Sequence, residues 1–149
     1  MMMDKLLEFC NSTALNTGAA GSYIIGDVVN TGSTPTLKDL GNGQPLYLVI
    51  QVDTAVDSSA DNTTQAFALV SDSVSTLDSS LTTHCTTGTQ AQATLVAGKT
   101  FIMALPLGVN YEQYIGIQQT TGTAAATAGA VSAFIVTDPA GWAAYPDAI

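Results

Sequence analysis

The sequence predicts an all-β protein, a β-sandwich or jelly roll of about eight short strands. Three observations lead to this fold class. Apolar and polar residues alternate with period two in several segments, turn residues recur at close intervals, and no segment has the periodicity of a convincing amphipathic helix. The 149 residues suit one domain and are enough to bury a core without a metal or a disulfide.

The most regular segment covers residues 46–53 and follows a Gly-Asn-Gly turn signal at residues 41–43. Its even-numbered residues are all aliphatic: Leu46, Leu48, Ile50 and Val52. Side chains alternate between the two faces of a strand, so this pattern places one apolar face against a core. We therefore predict that the segment is a central strand of the fold.

The remaining elements are assigned by the same alternation and by turn residues. Further strands are predicted over residues 22–29, 64–71, 91–96, 100–105, 114–119 and 129–137, the last one apolar on both faces. Residues 91–96 and 100–105 should form a hairpin with its turn at residues 97–99. Residues 53–62 are predicted to be an acidic loop, and residues 72–89 weak strand or loop.

We expect one domain over residues 1–149, divided into a core sandwich and two ends. Residues 1–21 are predicted to be an N-terminal arm, residues 22–137 the β-sandwich and residues 138–149 a C-terminal tail. Within the arm, residues 4–10 suit either a short helix or an edge strand. The start of the chain has no signal-peptide pattern, and no apolar run is long enough for a membrane span, so we expect a soluble protein made inside the cell.

The charge balance excludes nucleic-acid binding and disfavours anionic membranes. The net charge is −9, the chain has no arginine, and its strong bases are Lys5, Lys38 and Lys99. Nucleic-acid binding works by neutralising phosphates with Lys and Arg, and this chain lacks enough of them. Threonine (21 residues) and serine (11 residues) supply much of the polar surface instead.

Two motifs resemble ligand sites, and each has a simpler explanation. Gly98-Lys99-Thr100 imitates the end of a phosphate-binding loop, but the first glycine of that motif is missing, so we interpret it as a turn. Asp53, Asp57 and Asp61 lack the spacing of an EF-hand loop, and we interpret them as solvated acids, although a loosely bound cation stays open. We therefore predict no cofactor.

The candidate catalytic or metal-binding residues are few. His84 is the only histidine, and it lies beside Cys85; Cys10 is the other cysteine. One histidine and two cysteines are too few for a structural zinc site. No serine lies in a nucleophile-elbow motif, and no carboxylate pair is marked, so an enzyme is the third choice. The two cysteines suit free thiols in a reducing compartment, with one disulfide left open.

Taken together, the segments resemble the capsid cement, or decoration, proteins of tailed double-stranded-DNA bacteriophages. The resemblance extends over nearly the whole chain and is most specific at residues 39–53. The matching features are Asp4-Lys5-Leu6-Leu7 with Phe9, residues 25–28, residues 38–53, residues 95–99 running into Leu105-Pro106, residues 114–117, residues 128–133, and Trp142 with Tyr145.

The resemblance implies an oligomeric jelly-roll domain, a homodimer or homotrimer, on the outer surface of the virion. There it would bridge major capsid subunits of HK97 fold and resist the pressure of packaged DNA. The contact residues that we predict lie at the two ends: Met1, Leu6, Leu7, Phe9, Trp142, Tyr145 and Ile149. Alternatively, both ends pack on their own domain.

A carbohydrate- or receptor-binding β-sandwich of a phage fibre is the main alternative function. Such a site usually presents exposed aromatic side chains on loops. The candidates in this chain are Trp142, Tyr111 and Tyr114.

Overall fold

The computed structural model describes residues 5–32 and 44–139 and confirms the predicted all-β sandwich. Its strands are β1 (Glu8–Ala14), β2 (Gly21–Asn30), β3 (Tyr47–Asp57), β4 (Thr64–Asp72), β5 (Thr82–Thr86), β6 (Gln90–Ala91), β7 (Thr100–Ala104), β8 (Tyr114–Gly122) and β9 (Ala128–Val136). Short 3-10 helices cover Lys5–Leu7 and Gln92–Thr94. In the part of the chain that is described, no helix is long and apolar enough to cross a membrane.

The strands form two antiparallel sheets in jelly-roll order. The first sheet has the order β1-β9-β3-β7, and the second has the order β2-β8-β4-β5, with β6 paired to β4 beside β5. The chain crosses repeatedly between the sheets, so strands that are neighbours in one sheet are distant in sequence. The predicted jelly-roll type is therefore confirmed.

The predicted central strand is an inner strand of the first sheet. β3 lies between β9 and β7, and Leu48, Ile50 and Val52 are fully buried between the sheets. β3 continues to Asp57, so the first part of the predicted acidic loop is strand. Val56 is 4% exposed and anchors this extension in the core. One apolar residue alone is too weak an alternation signal to predict this part of the strand from the sequence.

The edge-strand alternative for residues 4–10 is confirmed from Glu8 onward, because β1 pairs with β9 at the edge of the first sheet and continues to Ala14. The predicted hairpin of residues 91–96 and 100–105 is wrong. Residues 91–96 do not form a hairpin arm with β7, because β6 ends at Ala91, a 3-10 turn follows, and Leu95 turns into the core. The predictions for residues 33–43 and for the tail from residue 140 fall outside the described residues.

The outer faces of both sheets also bury apolar residues. On the first sheet, Val49, Phe134 and Val136 form a small cluster, which confirms that the 129–137 segment is apolar on both faces. On the second sheet, Ala68 and Val70 pack with Leu77 from the loop that follows β4.

Asp72 fixes this loop at the end of β4. Its carboxylate is fully buried and accepts hydrogen bonds from the backbone N–H groups of Ser79 (2.9 Å), Ser80 (3.1 Å) and Val74 (3.3 Å). Burial raises the pKa of Asp72, but the hydrogen bonds from these N–H groups lower it by more, so the pKa lies below its ordinary value. The loop is thereby held with Leu77 over the second sheet.

Candidate functional site

One segment at the side of the sandwich contains no acidic residue of its own. We call it the β5–β7 flank and define it as residues 79–111, which contain the strands β5, β6 and β7. The sequence has 12 acidic residues, but none lies between residues 79 and 111, where Lys99 is the single Lys or Arg. Because β5 and β6 border the second sheet and β7 borders the first, these residues meet on one side of the molecule.

The β5–β7 flank also carries most of the exposed large apolar side chains. The described residues include six of them, and four lie on the flank: Val96 (54% exposed), Ile102 (48%), Leu107 (55%) and Val109 (38%). A surface with exposed apolar side chains and few charges, on a strongly acidic protein, is typical of a protein–protein interaction site.

The opposite side, formed by β1 and β2, has a different character. A groove on that side is lined by Lys5, Glu8, Asn11 and Asp27, among others. Lys5 and Glu8 form an ion pair there. The exposed apolar side chains, together with the absence of acidic residues from its own segment, distinguish the β5–β7 flank as the candidate site.

A polar cluster next to the flank joins two strands and a loop. Ser71 on β4 lies 2.7 Å (Oγ to Nε2) from His84 on β5 and 3.2 Å (Oγ to Oε2) from Glu112 in the loop before β8. The ring of His84 packs on Tyr111, with 4.2 Å between ring centroids. A break in register between β4 and β5 lets two consecutive residues, His84 and Cys85, face the inside of the sandwich.

Ser71 makes three hydrogen bonds in this cluster. It donates its hydroxyl proton to the carboxylate of Glu112 and accepts a bond from the backbone N–H of Glu112 (3.3 Å). Because a hydroxyl has one proton, this assignment makes Nε2–H of His84 the donor of the third bond.

The cluster anchors the loop between β7 and β8. Glu112 ties one end of the loop to Ser71, and the hydroxyl of Tyr111 donates to the carbonyl of Pro106 (2.8 Å) across it. Leu107 and Val109 lie between these anchors. The backbone that carries the two exposed apolar residues is therefore fixed, and both side chains form part of the surface of the β5–β7 flank.

We expect His84 to make the stability depend on pH below about 6.5. Burial lowers the pKa of His84 below its ordinary value of 6.5, and the nearby Glu112 partly opposes this shift. The unfolded chain then binds the proton more readily than the folded chain, so the free energy of unfolding falls as the pH drops below about 6.5. Urea unfolding at several pH values measures this slope.

His84→Gln is the control for that measurement. Because His84 is the only histidine, the variant should lose most of the pH dependence in this range. Equal slopes for the natural protein and the variant would contradict the prediction.

The cysteines are free thiols of low reactivity. Burial raises the pKa of Cys10 to about 12, with smaller contributions from Asp27, Asp53 and Glu8, and burial also raises the pKa of Cys85. Among residues 5–32 and 44–139, no group of three or more His, Cys, Asp or Glu side chains is arranged to hold a metal.

The acidic residues of the predicted loop already have protein partners. The side-chain amide of Gln92 donates to Asp57 (3.1 Å) and to Asp61 (3.2 Å), and Ser132 donates to Asp53 (2.6 Å). The amide of Gln92 thus lies where a cation bridging Asp57 and Asp61 would have to bind.

Comparison with known families assigns the chain to one of them. The Bbp16 family model matches residues 9–135, which is most of the chain and includes the described strands from Phe9 onward. The chain belongs to the Bbp16 family. Bbp16 is a phage-type family name. No curated protein matches the sequence.

The predicted contact residues lie outside the Bbp16 match, apart from Phe9. Leu6 is 77% exposed, and Leu7 is partly buried against the core. Phe9 is 2% exposed and packs inside its own domain, so its side chain is not available for a contact, and its prediction is corrected. The strand β1 explains this, because pairing with β9 turns Phe9 inward. The other predicted contacts, Met1, Trp142, Tyr145 and Ile149, fall outside the described residues.

Two of the aromatic candidates for sugar binding lie among the described residues. Tyr111 is 1% exposed and packs on His84, so it has no free face for a sugar ring, while Tyr114 is partly buried against the outer cluster of the second sheet.

Sequence reasoning missed the β5–β7 flank, although the gap in acidic residues was visible in the sequence. Only the strand order reveals that the gap lies on one side of the molecule.

Proposed function

We propose that this Bbp16-family protein is a capsid cement, or decoration, protein of a tailed bacteriophage. It binds the outer surface of the expanded head and bridges neighbouring major capsid subunits of HK97 fold. It thereby stabilises the shell against the pressure of packaged DNA. The protein acts as a homo-oligomer and needs no cofactor, nucleic acid or membrane.

The observation that carries the proposal is the group of exposed apolar side chains on the β5–β7 flank. The flank contributes four of the six exposed large apolar residues among the described ranges and no carboxylate of its own, although Asp57 and Asp61 border it at Gln92. A protein that assembles with other proteins beside packaged DNA benefits from an apolar contact surface and acidic remaining surfaces, which repel DNA and limit other associations. The phage-type family name agrees with this role.

The N-terminal end is the shell contact in this proposal. Leu6 has the largest exposed fraction among the described large apolar residues, and β1 holds the adjacent chain firmly on the sandwich. The C-terminal tail, with Trp142 and Tyr145, adds a second contact. Binding the expanded shell and not its precursor stabilises the expanded form by mass action, and several weak contacts act together in an oligomer.

The test is co-sedimentation of the purified protein with expanded empty heads and, in parallel, with unexpanded proheads. We expect saturable binding to the expanded heads and a higher melting temperature of the decorated shell. Absence of binding to both shells would overturn the proposal.

We expect the single substitution Leu6→Ala to weaken binding to expanded heads by about 30-fold. An apolar side chain at the centre of an interface typically contributes about 2 kcal/mol, which corresponds to that factor. Binding curves from co-sedimentation at increasing protein concentration measure the effect.

Val74→Ala is the matched control, because Val74 is also an exposed apolar residue (37%) but lies on the loop after β4, whose Leu77 packs on the second sheet, whereas the N-terminal 3-10 helix contacts β9 of the first sheet. It should bind like the natural protein. Equal losses for the two variants would remove Leu6 from the contact.

A further inference from the structure

We propose that the edge of β7 pairs with β7 of a second copy of this chain, antiparallel, with the two-fold axis at Ile102. The first sheets of the two copies then join into one continuous sheet. The inference stands on the geometry of the strand. It therefore holds or fails independently of the role on a phage shell.

β7 differs from the other described edge strands that are longer than two residues. The pairings of β1, β2 and β5 with their neighbours each contain a break in register, whereas the five residue pairs between β7 and β3 are continuous. β1 and β2 also carry charged residues, and β7 carries none. Proteins usually protect edge strands with bulges and charges, so a regular and uncharged edge is suited to strand pairing.

The hydrogen bonds to β3 show which groups of β7 face outward. Leu105 donates to Leu46 (2.9 Å), and Val52 donates to Lys99 (2.8 Å), at positions that face each other across the ladder. Partners alternate along an antiparallel pair, so the odd-numbered residues from 99 to 105 bond to β3. The N–H and C=O groups of Thr100, Ile102 and Ala104 therefore point away from the sheet.

No hydrogen bond to these outward groups is found within the described ranges. The backbone contacts outside the ladders do not include them, and residues 100–104 are not among those with further partners. Ile102 is 48% exposed on the same edge. As far as residues 5–32 and 44–139 are concerned, the edge is thus free to accept another strand.

A second β7 satisfies all six outward groups in one register. With the axis at Ile102, each copy's Thr100 faces Ala104 of the other copy, and Ile102 faces its own equivalent. All three are then hydrogen-bonded pairs. On the inner face, Phe101 meets Met103 of the other copy, a favourable aromatic–sulfur contact.

Charge also favours a second copy as the occupant. Each chain has a net charge of −9, which opposes association in most orientations. β7 itself contains no charged residue, and the segment 79–111 around it contributes no carboxylate, so pairing at this edge brings no carboxylates of the two strands together. In the proposed register Lys99 faces Leu105 of the other copy and not another Lys99, so like charges are not opposed.

The first experiment is analytical ultracentrifugation of the natural protein and of Ile102→Pro over a wide concentration range. Pro removes an N–H that points outward, so it spares the ladder to β3 while it removes two bonds of the dimer. We expect a monomer–dimer equilibrium whose Kd rises by about 30-fold or more in the variant. Ile102→Val keeps the donor and should dimerise like the natural protein.

The register is tested by disulfide crosslinking with Cys85→Ser as the background. Ile102→Cys should crosslink readily, because directly opposed residues lie within disulfide distance. Ala104→Cys should not, because its equivalent lies four residues away along the opposite strand.

Three results would overturn the inference: a monomer at all concentrations, a closed trimer, or equal crosslinking at both positions. If the free protein is monomeric but Ile102→Pro weakens binding to expanded heads, the occupant of the edge is a strand of the shell instead. If the protein binds shells but does not dimerise, the cement role stands and the dimer is overturned. If the protein dimerises but does not bind shells, the dimer stands and the cement role is overturned.

Discussion

Gly26→Ala is expected to lower the free energy of unfolding by roughly 3 to 5 kcal/mol, because its β-carbon has no space and the backbone is strained. Gly26 lies on β2 with φ at +71°, and a β-carbon there would come closer than 3.0 Å to the carbonyl oxygen of Phe9 and to Sγ of Cys10. These atoms belong to β1, so β1 would have to move away from β2. Urea unfolding followed by circular dichroism measures the loss.

Gly88→Ala separates the two causes. Gly88 has a similar φ of +68°, but no atom lies within 4 Å of the position that its β-carbon would take. Gly88→Ala should lower the free energy of unfolding only by the backbone strain, about 1 to 2 kcal/mol. If both variants lose the same stability, the close approach of β1 to Gly26 is not the reason.

The position of Gly26 also affects the proposed function. β1 carries the chain from Leu6 into the sandwich, and its buried residues Phe9 and Cys10 pack where the β-carbon would intrude. A variant that displaces β1 without unfolding the rest should therefore lose shell binding together with stability.

Gln119→Leu is expected to cost roughly 2 to 4 kcal/mol, although it places an apolar residue in a buried position. Gln119 is fully buried on β8 and accepts the backbone N–H of Asn16 (2.8 Å) while its amide donates to Gln65 (3.0 Å) and to Thr121 (2.9 Å). Leucine has a similar size but leaves the N–H of Asn16 and its neighbours without a partner. Thermal and urea unfolding would detect the change.

Gln118→Leu is the matched control, because Gln118 is the adjacent residue on the same strand but is only partly buried on the other face. Its substitution should change the free energy of unfolding by less than about 0.5 kcal/mol. A similar loss for both variants, or none for either, would mean that the buried hydrogen bonds of Gln119 do not stabilise the fold.

The sequence by itself determined the elements with strong local signals. The alternation of residues 46–53 identified the inner strand β3, because one aliphatic face on a strand has few uses other than a core. The apolar 129–137 segment gave β9 for the same reason, and these two strands pair with each other. Composition also gave the acidic character and the lack of arginine.

Elements with weak local signals depended on partners that are distant in sequence. β1 is a strand because β9, more than a hundred residues later, supplies its hydrogen bonds, and this pairing is what buries Phe9. Ser71, His84 and Glu112 are likewise brought together from two strands and a loop. Short-range alternation contains no information about such pairings.

The candidate site shows the same division. The gap in acidic residues from 79 to 111 can be read from the sequence, and so can the apolar residues within it. Their exposure could not, since Val96, Ile102 and Leu107 look like core residues when only their type is considered. The tertiary structure decided their role, because the jelly-roll order puts β5, β6 and β7 at the borders of the two sheets and leaves the edge of β7 open.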